Sequence, residues 1–369
     1  MKKFFFFAAI ACATLASCVK NEPVKIDNQA EITFAEPVVG LNTKATQEVW
    51  NNFPTDMSFK VWAKLYNESG YTTWDAGTTY MDEVTVYNDG STWAPNTTYY
   101  WPEGKLTFIA YAPASVNGTV DATGVKFTDY TVTTTASEQK DLLFSERAYD
   151  KTASNMDGTT SGTTTSPDEN VTDDPYTGVH LAFKHALSSI VFSVKTAQDY
   201  TANNATITLT GLSISSIGSK ATFTQDITDA KDAVSNASWT VPTEPEEYIA
   251  FTGSQVLSNT EFWTATNSNT KPTTPENGYR PTDFILLPQT LATLGAKLNV
   301  SYTIEYEGVG TPITMNKTVD LTHINAPKWE MGKRYIYNIS INLGTNTITF
   351  EPYVTDWVDN APEVGITIS

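Results

Sequence analysis

The residue best placed for chemistry is Cys18. Leu15-Ala16-Ser17-Cys18 sets small residues ahead of a cysteine, the pattern of a bacterial lipobox, in which the thiol receives diacylglycerol and the chain is then cut in front of it. Met1-Lys2-Lys3 is a short positive start, and Phe4 to Ala16 is apolar except for Thr14. That run falls short of the roughly 20 residues a membrane-spanning helix needs, so residues 1–17 read as a signal peptide. Cys12 leaves with it. The mature chain then keeps one sulfur, committed to a thioether, and forms no disulfide despite export. Acyl chains contributing about 0.8 kcal/mol per buried CH₂ would hold it to a bilayer. Lys20-Asn21-Glu22 lacks the aspartate that retains many lipoproteins at the inner membrane. By resemblance to that sorting rule, the outer membrane is the expected destination.

Other reactive side chains find no partners in the sequence. His180 and His185 lie five apart in an alternating pattern, which puts them on opposite faces of a strand, where one metal cannot reach both. His323 sits in a turn region with no cysteine or carboxylate pair nearby. Asp168, Glu169, Asp173 and Asp174 lack the spacing of a calcium loop and read as a solvated linker. Asp75, after Trp74, and Glu103, after Trp101-Pro102, stand in aromatic surroundings that suit turns between strands. A Gly-x-Ser-x-Gly elbow, a phosphate loop and a dinucleotide fingerprint are all absent. No enzyme, metal or cofactor is expected. Trp93, Tyr99, Tyr100 and Trp101 allow two readings, an exposed platform that stacks on sugar rings or a set of core residues.

Composition sets the class of element that must position these groups. Charged residues make up 17% of the 369 and aromatic residues 12%, so Thr, Asn and Ser supply much of the surface. A chain rich in β-branched and aromatic residues and poor in helix formers is all-β. The net charge of −18, with Arg147, Arg280 and Arg334 as its arginines, excludes a nucleic-acid partner, because phosphates need a basic face.

Period-2 alternation locates the strands. Ala30 to Ala35 stands alone near the start, with Ile32 and Phe34 on one face; Leu41 to Thr46 after it is small, polar and marked by Lys44, which a trypsin-like protease could reach. Ser58 to Leu65, Val84 to Tyr87, Leu106 to Ala112 and Val125 to Val132 follow, with a hairpin expected at Asn88-Asp89-Gly90. Residues 150–178 are almost devoid of apolar side chains and read as a loop ending the first domain. The pattern resumes at Val179 to Lys195, Ala205 to Ile214, Phe284 to Leu287, Lys297 to Tyr306, Ile313 to Leu321 and Arg334 to Asn342, and Leu343-Gly344-Thr345-Asn346 turns the last of these back into Thr347 to Phe350. The best short helix candidate is Ala230 to Ser235. The expected division is a signal peptide (1–17), a lipidated segment with the isolated strand (18–45), and β-sandwich domains at 46–178 and 179–369.

The order of these segments resembles the bacteroidete fimbrillin superfamily, in its Mfa-like lipoprotein branch. The resemblance is carried by the lipobox at Cys18, Thr43-Lys44-Ala45-Thr46, Trp93-Ala94-Pro95 with Tyr99-Tyr100-Trp101-Pro102, and Lys105 to Pro113. Asp141-Leu142-Leu143-Phe144, Phe183-Lys184-His185-Ala186-Leu187, Leu286 to Thr290, and Gly332 to Tyr335 with Trp357 continue it. It implies two transthyretin-like (Greek-key) sandwiches in tandem and a structural, adhesive subunit (shaft, tip or anchor) of a surface fimbrium. It further implies removal of the first strand, with Ile32 and Phe34, by a cut between Lys44 and Ala45. A strand of a neighbouring subunit then replaces it. Family members often carry Thr-Arg-Ala where this chain has Thr43-Lys44-Ala45, so an arginine-specific protease would not act here. Either a broader protease cuts, or the subunit keeps its lipid as an anchor.

Strand exchange also has a physical logic. Loss of a paired strand bares backbone groups and an apolar groove, which invites another strand. Val364-Gly365-Ile366-Thr367-Ile368 alternates at the end of the chain and reads either as a donor, through Val364, Ile366 and Ile368, or as an edge strand of its own domain. Expected partners are other fimbrial subunits, the outer membrane through the lipid, and a host or bacterial surface receptor. The competing function is a glycan-binding surface lipoprotein using the Trp93 to Trp101 aromatics.

Overall fold

The computed structural model describes residues 26–40, 51–53, 55–154, 178–228, 231, 236–265, 283–322, 324, 327–357 and 366–367. Cys18, Lys44, Ala45, His323, Val364, Ile368, the four acids at 168–174 and most of the helix candidate at 230–235 lie outside them. Strands dominate, as the composition requires. Helical geometry among the described residues is confined to three-residue 3₁₀ turns at Trp74–Ala76, Ala136–Glu138 and Thr201–Asn203.

One sheet builds the first half. Its order is Asn51–Asn52, Val38–Val39, Ala182–His185, Leu143–Ser145, Lys105–Ala112, Phe59–Tyr66, Thr78–Asn88 and Trp93–Pro95, with Ala148–Lys151 also on Lys105–Ala112. The Lys105–Ala112 strand is buried along both faces, and its alternation explains how. Leu106, Phe108, Ala110 and Ala112 enter the first core with Phe59, Val61, Ala63 and Phe183. Ile109 and Tyr111 point the other way, beside Trp62, into a second core. An apolar side chain at nearly every position is what a strand covered on both sides needs.

Two sheets face each other in the second half. In one, the 22-residue strand Ala205–Asp226 pairs with Thr243–Val256 and Asn236–Trp239 on one side and with Lys297–Tyr306 and Gly124–Thr131 on the other, with Ile313–Asp320 beyond. The other runs Trp263–Thr264, Ser188–Thr196, Lys333–Asn342, Thr347–Asp356 and Ile366–Thr367, with Phe284–Leu286 on Ser188–Thr196. Ile190, Phe192, Tyr337 and Ile339 from one sheet meet Leu209, Ile214, Val300 and Tyr248 from the other in the shared core. Phe192 stacks on Tyr337 at 5.6 Å, and Phe284 meets Tyr248 edge-on at 6.1 Å. These are the facing layers of a β-sandwich.

The chain crosses the expected boundary at 178/179 in both directions. Ala182–His185 completes the first sheet, while Thr119–Val120 and Gly124–Thr131 belong to the sheet of Ala205–Asp226. The physical reason is the outward face of the first sheet: Tyr111 packs edge-on against Phe127 at 4.8 Å, and Phe144 lies 5.1 Å from Phe223. An apolar face of that size must be covered, and strands from both sides of the boundary cover it. Arg147 is buried at the same junction, donating to Tyr71 Oη at 3.0 Å and to the Ile227 carbonyl at 2.5 Å.

A short recurring motif ends several strands. In Asp121-Ala-Thr123, Asp199-Tyr-Thr201, Asp226-Ile-Thr228 and Asp320-Leu-Thr322, the carboxylate accepts from both the amide and the hydroxyl of the threonine two residues on. Such Asx turns reverse the chain without help from the core. Asp89 does the same in the expected hairpin, where Asn88 pairs with Trp93 and Gly90 takes φ +99°.

Candidate functional site

The segment from Ile26 to Gly40 has its own mode of attachment. Ile26–Glu31 pairs antiparallel with Tyr100–Pro102. Next, the Ile32 amide donates to the Tyr99 carbonyl at 2.8 Å and the Phe34 amide to the Trp93 carbonyl at 2.9 Å. On its other side, Phe34 forms a parallel bridge to Val179. The Val179 amide donates to Thr33 and the Ala35 amide to Val179, at 2.9 and 3.1 Å. Val38–Val39 then pairs parallel with Ala182–Phe183. Trp93–Pro95 and the chain around Val179 to His185 lie toward opposite ends of the first sheet's order, so Phe34 is the link that joins the sheet to itself.

Side chains follow the alternation of the sequence. Ile32 and Phe34 are buried, Thr33 between them is half-buried, and Glu31 and Glu36 are exposed. The Phe34 ring meets Phe59 at 5.5 Å and Phe108 at 5.8 Å, both edge-on. Around these lie Phe53, Trp93 and Phe183, with Phe53 5.4 Å from Trp93 and 5.0 Å from Phe183. Gly178 makes the closeness possible: a Cβ there would fall 2.5 Å from the Phe34 carbonyl carbon. Near this seam burial pushes the Tyr80 phenol up, and its O–H donates to the Tyr100 carbonyl. This site offers backbone pairing and an aromatic-lined slot rather than a reacting group.

The structure answers several sequence expectations. Trp93 and Trp101 do not form an exposed platform. Both are buried, Trp93 against Phe53 and Phe59 and Trp101 against Phe108 at 6.1 Å, because the first core needs large side chains to fill it. Asp75 and Glu103 are exposed in turns. His180 is buried. His185 does have a carboxylate companion that spacing could not reveal: Asp141 Oδ2 lies 2.6 Å from Nδ1, and Trp357 stacks on the ring at 4.0 Å. Among the described residues, no three His, Cys, Asp or Glu side chains gather as metal ligands. Ile366–Thr367 pairs antiparallel with Tyr353–Val354 of its own chain. Sequence reasoning did not find the far bank of the seam, Gly178 and Val179; the one signal was the restart of alternation at Val179.

Comparison with known proteins decides the family. A model described as fimbrillin-like matches residues 43–357. The chain belongs to the fimbrillin-like family. A crystal structure of a fimbrial protein from Bacteroides vulgatus is similar to this chain at 16% identity and a TM-score of 0.57, covering 89% of this chain and 99% of the other. A protein from Bacteroides uniformis, provisionally described as a cell-adhesion protein, aligns at 16% identity over 90% of this chain and all of its own, with a TM-score of 0.48. The tip fimbrial protein Mfa3 of Porphyromonas gingivalis aligns at 11% identity over 89% of this chain and all of its own, with a TM-score of 0.35. The first shares this chain's fold. No curated protein matches the sequence. As a fimbrillin-like protein the chain is a structural subunit rather than an enzyme, and family membership supports a place in a cell-surface fimbrium. The family match opens at residue 43, so Ile32 and Phe34 lie outside the matched span.

Proposed function

We propose that this fimbrillin-like chain is exported as a lipoprotein through Cys18, held at the outer membrane, and incorporated into a fimbrium by strand exchange. A cut between Lys44 and Ala45 releases the segment that carries Ile32 and Phe34. A strand of another subunit then enters the vacated slot, and the segment with Val364, Ile366 and Ile368, on leaving its pairing with Tyr353–Val354, is this chain's own donor to a neighbour. One observation carries the reading: Phe34 bridges both Trp93 and Val179 while its ring sits among Phe59 and Phe108. Its departure would leave two unpaired edges and an apolar slot side by side. Burial of each large apolar side chain is worth roughly 1.5–3 kcal/mol, so the slot favours refilling by a strand of the same alternation.

Treating the purified full chain with trypsin and sequencing the product tests this. The expected new terminus is Ala45, followed by ladders that survive unheated detergent, whereas Lys44→Gln stays monomeric. A chain that is cut after Lys44, keeps residues 26–40 bound and never oligomerises would overturn strand exchange.

A further inference from the structure

We infer that a cleft in the second half of the chain, between the Asn236–Trp239 strand and the antiparallel bridge of Thr290 with Lys328, binds a neutral oligosaccharide. The cleft encloses about 450 Å³, within the range of small-molecule sites. Trp239 and Val241 line one wall, and Thr290, Thr293, Lys328 and Met331 the other. It lies wholly outside the segment that strand exchange would remove, so it stands or falls independently of that reading.

The walls are fixed before any ligand arrives. Trp239 is half-buried, backed by Phe223 at 5.2 Å and Tyr130 at 5.7 Å, and its indole N–H already donates to the Ala186 carbonyl at 2.6 Å. What Trp239 still offers the cleft is aromatic surface. Opposite, the Trp329 amide donates to the Gln289 carbonyl and the Leu291 amide to Pro327, both at 2.8 Å. The Gln289 side chain is used up on the backbone of Gly218 and Leu287.

The polar groups that remain define the ligand. Ser238, Thr290 and Thr293 are exposed, and their hydroxyls make no hydrogen bond to any described residue. Lys328 and Glu330 form an exposed pair at 3.3 Å, which brings donors and acceptors to the rim with no net charge. A pyranose matches this: its C–H face packs on an aromatic surface, and its hydroxyls both donate and accept. An anionic sugar does not match, since the nearest cation is already paired and the chain carries −18 overall. A purely apolar ligand would leave the three hydroxyls dry and unpaired.

Saturation-transfer NMR on the full chain, with mannotriose, cellotriose and chitotriose as probes, tests the site. At least one trisaccharide is expected to receive saturation. Thr293→Tyr, which fills the cleft from an exposed position, should abolish the signal. Lys328→Ala should weaken affinity about fivefold, the effect of one lost hydrogen bond. Both substitutions sit on the surface and leave the core intact. No transfer to any of the three, transfer that Thr293→Tyr leaves unchanged, or binding of a synthetic 360–369 peptide in place of every sugar would each overturn the proposal.

Discussion

Phe34 holds two edges of the first sheet with one residue. Its backbone closes the seam and its ring fills the slot, so Phe34→Ala should cost about 3–5 kcal/mol, the range for removing a buried aromatic, read as a lowered midpoint in urea. A different vulnerability lies in the second core. Trp329 Nε1 donates to Tyr337 Oη at 2.7 Å with both residues fully buried, and burial raises the Tyr337 phenol so that it stays protonated. Tyr337→Phe keeps the ring stack on Phe192 and Phe350 but strands the indole N–H, at a cost of about 1–3 kcal/mol. The Asx carboxylates add a pH dependence. Amide hydrogen bonds from Thr92 and Ser91 hold Asp89 down to about 2, and Thr123, Thr201 and Thr228 lower Asp121, Asp199 and Asp226 in the same way. Carboxylates with folded values below the unfolded one, roughly 3.9, stabilise the fold at every pH above it and lose that contribution as pH falls through the folded value. Stability should therefore be flat in this respect from pH 8 to 5 and decline from about 4 toward 2. Asp89→Asn, which keeps the turn acceptor, should shallow the acid limb in a pH series of thermal melts.

Among the elements, the strands most legible in the sequence are those with one wet face or two dry ones. Ile190 to Val194 and Tyr335 to Ile341 announce themselves by alternation or by unbroken apolarity, and they form Ser188–Thr196 and Lys333–Asn342. Thr243–Val256 does not, because only Tyr248 and Ala250 of its 14 residues are buried. It is a sheet border, shielded by Glu244, Pro245, Glu246 and Glu247 and by repeated register shifts against Ala205–Asp226, the usual protection of an exposed edge. The seam is half legible for the same reason. Ile32-Thr33-Phe34 reads as a half-buried strand at once, whereas Gly178 gives no periodicity and reveals its purpose only when Phe34 lies against it. Gly178→Val should overpack that contact and loosen the first strand by about 1–3 kcal/mol. Trypsin should then cut after Lys44 faster than in the unaltered chain; an unchanged cutting rate would mean that Gly178 does not hold the strand.

At the level of the whole molecule, two domains in tandem is what composition and the loop at 150–178 suggest, and it understates how the halves are joined. Sequence patterning counts apolar positions along a strand but not which body covers each face. Leu106 to Ala112 reads as one strand of one domain, yet Phe108 belongs to the first core and Tyr111 to the second. Tyr111 stacks tilted on Trp62 at 5.2 Å and edge-on against Phe127 at 4.8 Å, and its hydroxyl accepts from the Gly118 amide at 3.0 Å. A junction built this way couples the halves, since neither can unfold without baring the other's core. For a fimbrial subunit this means that pulling force on one end loads both halves together. Tyr111→Ala should lower the stability of both by a similar amount, about 3–5 kcal/mol. Hydrogen exchange in denaturant reads it directly. Amides of Phe59–Tyr66 and of Lys333–Asn342 should lose protection along a common isotherm in the unaltered chain, and that isotherm should shift as one in the variant. Separate isotherms, with Lys333–Asn342 unmoved by the substitution, would show two independently folding bodies and an interface that transmits nothing.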